Sequence, residues 1–237
     1  MAYKRVLLKL SGEALKGNSN ELLDVNSVSK AAEIVRKIQE KGIKLAIVVG
    51  GGNIIRGRIS DKYNLDRVPA DFMGMLATNL NAIMVQNLFE KNGIKCKAYS
   101  ALPVDTVLEK IDIEKCKKDL DENTVIIFGG GTGKPFVSTD SGSSLRATQL
   151  NLEVILAGKH GVDGVYDKDP FKFKDAKFIK KLSYDYAIEN SLQVFDIGAV
   201  QTCKENNIEI KIFNMDNLEN ILKIIDGEDI GSTIGKE

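Results

Sequence analysis

Apolar residues along this chain fall into two rhythms. Short aliphatic and β-branched runs near 4–10, 43–49, 95–99, 124–128, 152–157 and 208–213 predict strands, with a further one at Thr233-Ile234. Between them the apolar positions recur at helical spacing. That spacing predicts helices near 26–41, 71–91, 112–120, 140–151, 183–190, 198–206 and 217–226. Ile34 and Ile38, followed by Lys41-Gly42, show the spacing together with its glycine stop. Strands alternating with helices imply right-handed crossovers and an α/β fold, a three-layer α/β/α sandwich around a mostly parallel central sheet. Asp163-Gly164 adds a hairpin-like turn signal before Val165-Tyr166-Asp167. No linker, repeat or low-complexity tract interrupts the pattern, so 1–237 reads as one domain.

Three of the predicted strands stop at glycine. Lys44-Leu-Ala-Ile-Val-Val49 runs into Gly50-Gly51-Gly52, and Arg56 follows shortly after. Bare backbone N–H groups at such a turn can close on an anion, and an arginine fork matches phosphate oxygens. The plainer alternative is a tight turn with a surface arginine. Tyr3 to Leu10 ends at Ser11-Gly12 and carries Lys9 inside the apolar run. A lysine there is costly unless an anion meets it; otherwise it lies on an exposed face or snorkels to solvent. Thr124 to Phe128 runs into Gly129-Gly130-Gly131-Thr132-Gly133-Lys134. In open α/β sheets ligands bind outside the carboxyl ends of the strands, so the three turns can share one crevice. Together they point to a polyphosphate ligand.

Gly130 to Lys134 is not a P-loop. Phe128 stands where the pattern needs its first glycine, and Pro135 replaces the hydroxyl residue that would hold magnesium. There is no protein-kinase signature and no dinucleotide fingerprint after the first strand. Composition narrows the reading further. Lys+Arg and Asp+Glu number 33 each, so no long-range field recruits nucleic acid or an anionic membrane. Cys96, Cys116 and Cys203 lie far apart in no metal-like spacing, which suits a reducing cytoplasm, and the single His160 leaves no multi-histidine metal site. No signal peptide or apolar stretch of spanning length is expected.

Several segments, in order along the chain, carry a family resemblance. They are Leu8-Lys-Leu-Ser-Gly-Glu13, Gly50-Gly-Gly-Asn-Ile-Ile-Arg-Gly57, Ala70-Asp-Phe-Met-Gly-Met-Leu-Ala-Thr78 and Gly131-Thr-Gly-Lys-Pro-Phe-Val-Ser-Thr-Asp140. Val162-Asp-Gly-Val-Tyr-Asp-Lys-Asp-Pro170 and Ile212-Phe-Asn-Met215 complete the set. The sequence resembles the bacterial UMP kinases of the amino-acid kinase superfamily over essentially its whole length. The resemblance implies the amino-acid kinase fold, with an N-terminal acceptor lobe at about 1–150 and a C-terminal ATP lobe at about 151–237. It implies ATP-dependent, reversible phosphorylation of UMP to UDP in the cytoplasm, serving UTP and CTP synthesis. The alternatives are a carboxylate kinase of the same superfamily and a catalytically silent nucleotide-binding protein.

Residue roles follow from the same resemblance. Lys9, Arg56 and Asp196 are the implied catalytic residues, Lys9 neutralising the transferring phosphoryl group and Asp196 orienting Lys9. Asp196 has the alternative of a helix N-cap. Leu10, Ser11, Gly12 and Gly52 are implied to meet ATP with Lys9 and Arg56. Tyr166 and Asp169 are implied at the base and ribose of ATP. His160 joins them as an ATP contact or is a plain surface residue, since it fills a position usually held by Asn or Thr, and Lys159 beside it is a candidate further phosphate ligand. Gly51 and Asp71 are implied to meet UMP, Asp71 either through the ribose hydroxyls or as a helix N-cap. Thr132, Gly133, Lys134, Pro135, Phe136, Val137, Ser138 and Thr139 are implied to wrap the UMP phosphate and uracil. Their alternative is an irregular loop capped by Ser138 and Thr139. Asp140 and Asp163 are further candidates for positioning lysine or magnesium. No protein metal ligand is assigned, because Mg²⁺ rides mainly on nucleotide phosphates and water.

A homohexamer built from dimers is implied too, and the apolar Phe72–Phe89 segment agrees with it. UTP is expected to inhibit. Gly17-Asn-Ser-Asn-Glu-Leu-Leu-Asp24 lacks the glycines and aromatic of GTP-responsive members, so GTP is expected to activate little.

Overall fold

The computed structural model describes residues 2–17, 21–55, 63–192 and 194–236. Among them, nine strands form one sheet in the order β4-β3-β5-β2-β1-β6-β10-β11-β9. Its centre is β1 (Arg5–Leu10), β2 (Lys44–Val49), β5 (Val125–Gly129), β6 (Val154–Lys159) and β10 (Glu209–Asn214). Each pair from β3 (Cys96–Ser100) through β10 is parallel, as is the two-residue β4 (Glu109–Lys110) on β3. β11 (Ser232–Gly235) turns antiparallel on β10, and β9 (Lys181–Ser183) lies parallel to β11. The sheet is continuous across the middle of the chain, because β1 pairs with both β2 and β6.

Strand alternation sorts the side chains into two cores. Val6, Leu8 and Leu10 face one side, packed with α2 (Val25–Glu40), α3 (Arg67–Lys91) and α8 (Glu219–Asp226). Leu7 faces the other, with α4 (Ile113–Asp121), α5 (Thr139–Gln149), α6 (Tyr184–Glu189) and α7 (Ile197–Asn206). Lys9 shares the parity of Leu7 and therefore points toward the layer that contains α5 and α7.

The expected strands and helices are present, with differences that have local causes. A short helix, α1 (Gly12–Lys16), follows β1 and is capped by Ser11, whose Oγ accepts the Ala14 N–H at 3.1 Å. α3 begins at Arg67 rather than near 71. Pro69 sits in its first turn, where an N–H has no partner to lose. Asp163-Gly164 does not close a tight hairpin. β7 (Val165–Tyr166) pairs instead with the distant β8 (Phe178–Ile179), and 167–177 form the loop between them.

Candidate active site

The glycine turns meet above the carboxyl ends of β1, β2 and β5. The Gly50 N–H donates to the Leu10 carbonyl at 2.8 Å, which joins the first two turns through backbone. A Cβ on Gly12 would stand 2.6 Å from the Gly52 nitrogen and 2.4 Å from Asn53 Oδ1, so only glycine lets the turns touch. The third turn is held at Gly130, whose φ is +75° and whose N–H donates to Thr78 Oγ1 at 2.7 Å.

α3 supports the second and third turns from beneath. Asn81 is fully buried; its Nδ2 donates to the Gly50 carbonyl at 2.6 Å and to Asn53 Oδ1 at 2.7 Å. Thr78 takes the Gly130 N–H, and Asp71 Oδ2 accepts the Phe136 N–H at 2.7 Å. Asp71 lies inside the helix, so it is not the N-cap; Asp66 holds that position without a side-chain cap bond. Asp71 Oδ1 also accepts from Arg67 Nε at 2.8 Å, and the Arg67 guanidinium lies 5.7 Å from the Phe136 ring centre. Phe136 itself is held at φ +63°, in the left-handed region.

The charged centre lies where β1, β6 and α5 converge. Lys9 Nζ forms an ion pair with Asp140 Oδ1, both side chains being about five-sixths buried, at 17% and 16% exposure. The anion that a lysine in a buried strand demands is therefore supplied by the first turn of α5. Asp196 does not pair with this lysine, which corrects the expectation for it. Its carboxylate caps α7, Oδ1 accepting the Ala199 N–H at 3.2 Å. Its own N–H donates to Asp140 Oδ2 at 3.1 Å, so Asp196 acts on the pair through backbone. The Lys9 ammonium also lies 5.7 Å from the Phe195 ring centre. Lys159, at the end of β6, has its pKa lowered by burial first and by the charge of Lys9 second, against a raising contribution from Asp140. Lys159 thus lies within electrostatic reach of the Lys9–Asp140 pair.

Lys159, His160, Tyr166 and Asp169 line one cleft of about 490 Å³, with Pro170, Phe171, Leu192 and Val194. His160 Nδ1 lies 2.8 Å from Asp216 Oδ1, and Asp216 Oδ2 accepts the Gly161 N–H at 3.0 Å. The His160 bond, then the Gly161 bond, hold the Asp216 carboxyl below its ordinary range. Asp169 shapes its own loop, accepting the Phe171 N–H at 3.0 Å.

The structure brings Lys9, Leu10, Ser11, Gly12, Gly51 and Gly52 to the same end of the sheet. Thr132 to Ser138 form the turn leading into α5, whose first residue is Thr139, and Ser138 caps that helix by accepting the Ser141 N–H at 3.1 Å. Arg56 lies outside the described residues. Among the described residues there is no cluster of His, Cys, Asp or Glu that could hold a metal ion. Asp140 is paired with Lys9.

Several contributors escaped the sequence reading. Asn81 and Thr78 are polar residues on the buried face of an apolar helix, and that is the signal that marks them. Arg146 is buried, with Nη2 3.4 Å from the Gly131 carbonyl and its guanidinium 5.5 Å from the Phe128 ring centre.

Known proteins match this arrangement over the full chain. The model of the amino acid kinase family matches residues 4–214. A protein named uridylate kinase from Mycoplasma capricolum subsp. capricolum is 42% identical over 233 residues, covering 98% of each chain. One of the same name from Aster yellows witches'-broom phytoplasma is 41% identical over 236 residues, covering 99% of this chain and 98% of the relative. The crystal structure of UMP kinase from Bacillus anthracis superposes with a TM-score of 0.96 at 35% identity, covering 100% of this chain and 98% of that one. Fold and length agree with these relatives, and the chain belongs to the amino acid kinase family.

Proposed function

We propose that this protein transfers the γ-phosphoryl group of ATP to the 5′-phosphate of UMP, giving UDP and ADP. An oxygen of the UMP phosphate attacks the γ-phosphorus, and the bond to the β,γ-bridging oxygen breaks with ADP as leaving group. No protein nucleophile is required, since the acceptor is already an anion; the protein must align two repelling polyanions and spread the moving charge. The observation that carries the reading is the Lys9–Asp140–Lys159 group, set between the glycine turns and the Tyr166 cleft. A buried pair of ammoniums with one carboxylate is costly on its own and suits an added phosphate chain. The names of the full-length relatives support UMP as acceptor.

Lys9 neutralises the transferring group, and Lys159 steadies the donor phosphates beside it. Asp140 aims Lys9, and Asp196 holds Asp140 in place. Arg56 follows the second glycine turn and meets the donor phosphates. Asp71 uses its remaining lone pairs on the ribose hydroxyls of UMP while fixing the Phe136 end of the 132–139 turn. Mg²⁺, when bound through the phosphates, neutralises developing charge.

The acceptor lobe spans about 1–150 and the ATP lobe about 151–237. The three cysteines are free, which suits a reducing cytoplasm, and no described helix is long and apolar enough to cross a membrane. UTP inhibits through the uridine half it shares with UMP. A coupled ADP-release assay over UMP, CMP, dUMP, glutamate and aspartate tests the reading. Turnover with UMP far above the others is expected. A carboxylate acceptor winning would assign the chain to the other kinases of the superfamily, and no turnover at all would mark a silent binding protein.

A further inference from the structure

We propose that Phe171 is an aromatic wall of the donor cleft that stacks on the base of the donor nucleotide and sets a preference for purine donors. This rests on the reading of the Tyr166 cleft as the donor site. Three phenylalanines lie in and beside the loop after β7, and two of them have ring partners within the protein. Phe178 packs edge-on against Tyr166 with centroids 5.5 Å apart, and Phe173 carries the Lys168 ammonium 5.3 Å from its centre. Phe171 remains 75% exposed while lining the cleft, and its Cζ lies 3.5 Å from where a Cβ on Gly161 would stand.

Its position is built rather than incidental. Asp169 Oδ1 accepts the Phe171 N–H at 3.0 Å, and the Asp169 carbonyl accepts from Lys172 at 3.1 Å and Phe173 at 3.0 Å. This local turn fixes the backbone that carries the ring. Leu192 and Val194 supply apolar surface to the same cleft, and Lys159 supplies a cation to it. A flat base between apolar walls, with its phosphates toward a lysine, matches that lining. A stack on an aromatic ring grows with the π-face of the base, so a purine gains more than a pyrimidine.

Calorimetric titration of MgATP and MgCTP into wild type, Phe171→Ala, Phe171→Leu and Phe171→Tyr tests this, with the UMP KM as control. Base–aromatic stacks typically contribute about five- to a hundredfold in affinity. At a half-open rim we expect Phe171→Ala to weaken ATP by about five- to twentyfold, and CTP by clearly less. Phe171→Tyr should stay within about twofold of wild type, Phe171→Leu should show most of the loss, and the UMP KM should hold. An ATP affinity within about twofold of wild type in both Ala and Leu variants would overturn the stacking role, as would equal losses for ATP and CTP. Wild type failing to bind MgATP at all would instead overturn the donor-cleft reading, and the proposal with it.

Discussion

At the scale of single residues, the account turns on where charge is buried. Lys9 is held in an apolar strand by one carboxylate from α5, and the remaining donors of its ammonium await an anion. Lys9→Ala should leave a folded protein and lower kcat by about 10²- to 10³-fold, the usual loss on removing one preorganised charge. Lys9→Arg should also be poor, because a planar fork does not replace a point charge. Steady-state kinetics beside a thermal melt checks both, and a kcat loss under about threefold for Lys9→Ala would remove it from the mechanism. Asp71→Ala should raise the UMP KM and barely move the ATP KM. A charged hydrogen bond is typically worth about 1.5–3 kcal/mol, or roughly ten- to a hundredfold here. A lower melting temperature with an unchanged UMP KM would reduce Asp71 to a structural brace for Phe136.

At the scale of elements, α3 works on both faces. Its inner face carries Thr78 and Asn81 to the glycine turns. Its outer face leaves Val68, Phe72, Leu76, Leu80 and Ile83 exposed at helical spacing. Such a stripe is a surface that a second copy of the chain could cover, and we predict a closed homo-oligomer, a hexamer built from dimers. Leu76→Glu with Leu80→Glu should lower the assembled mass seen by light scattering. A wild-type monomer at micromolar concentration would contradict the assembly. The strands and glycine stops were legible because each is written in a few consecutive residues. The β7–β8 pairing was not, since it joins residues across a loop that no local signal spans. The start of α3 was misplaced because Pro69 reads as a breaker, yet the first helical turn has no N–H to lose. The sequence left the partner of Lys9 open between Asp196, favoured by the resemblance, and Asp140. Asp140 and Asp196 both stand at helix starts in the sequence, and only the packing of α5 over β1 decides between them.

At the scale of the whole molecule, two polyanions must meet on a chain with balanced charge, 33 basic against 33 acidic residues. Binding therefore relies on local cations and should weaken moderately, not collapse, as salt rises. Whether GTP acts on the protein is tested at this scale too. The segment Gly17 to Asp24, part of which lies outside the described residues, carries Glu21 and Asp24 in place of effector glycines. Asp24 caps α2, accepting the Asn26 N–H at 3.1 Å and the Ser27 N–H at 3.3 Å, so the expectation rests on the missing glycines and aromatic: GTP should change initial rates little at subsaturating ATP. A several-fold stimulation would show that the effector site lies elsewhere.

³¹P NMR of the reaction mixture reads phosphoryl transfer from ATP to UMP at the Lys9 centre directly. With MgATP and UMP, the wild-type protein should form UDP and ADP one for one, and Lys9→Ala should form almost none in the same time. ADP released without UDP, or UDP formed equally fast by Lys9→Ala, would contradict the account.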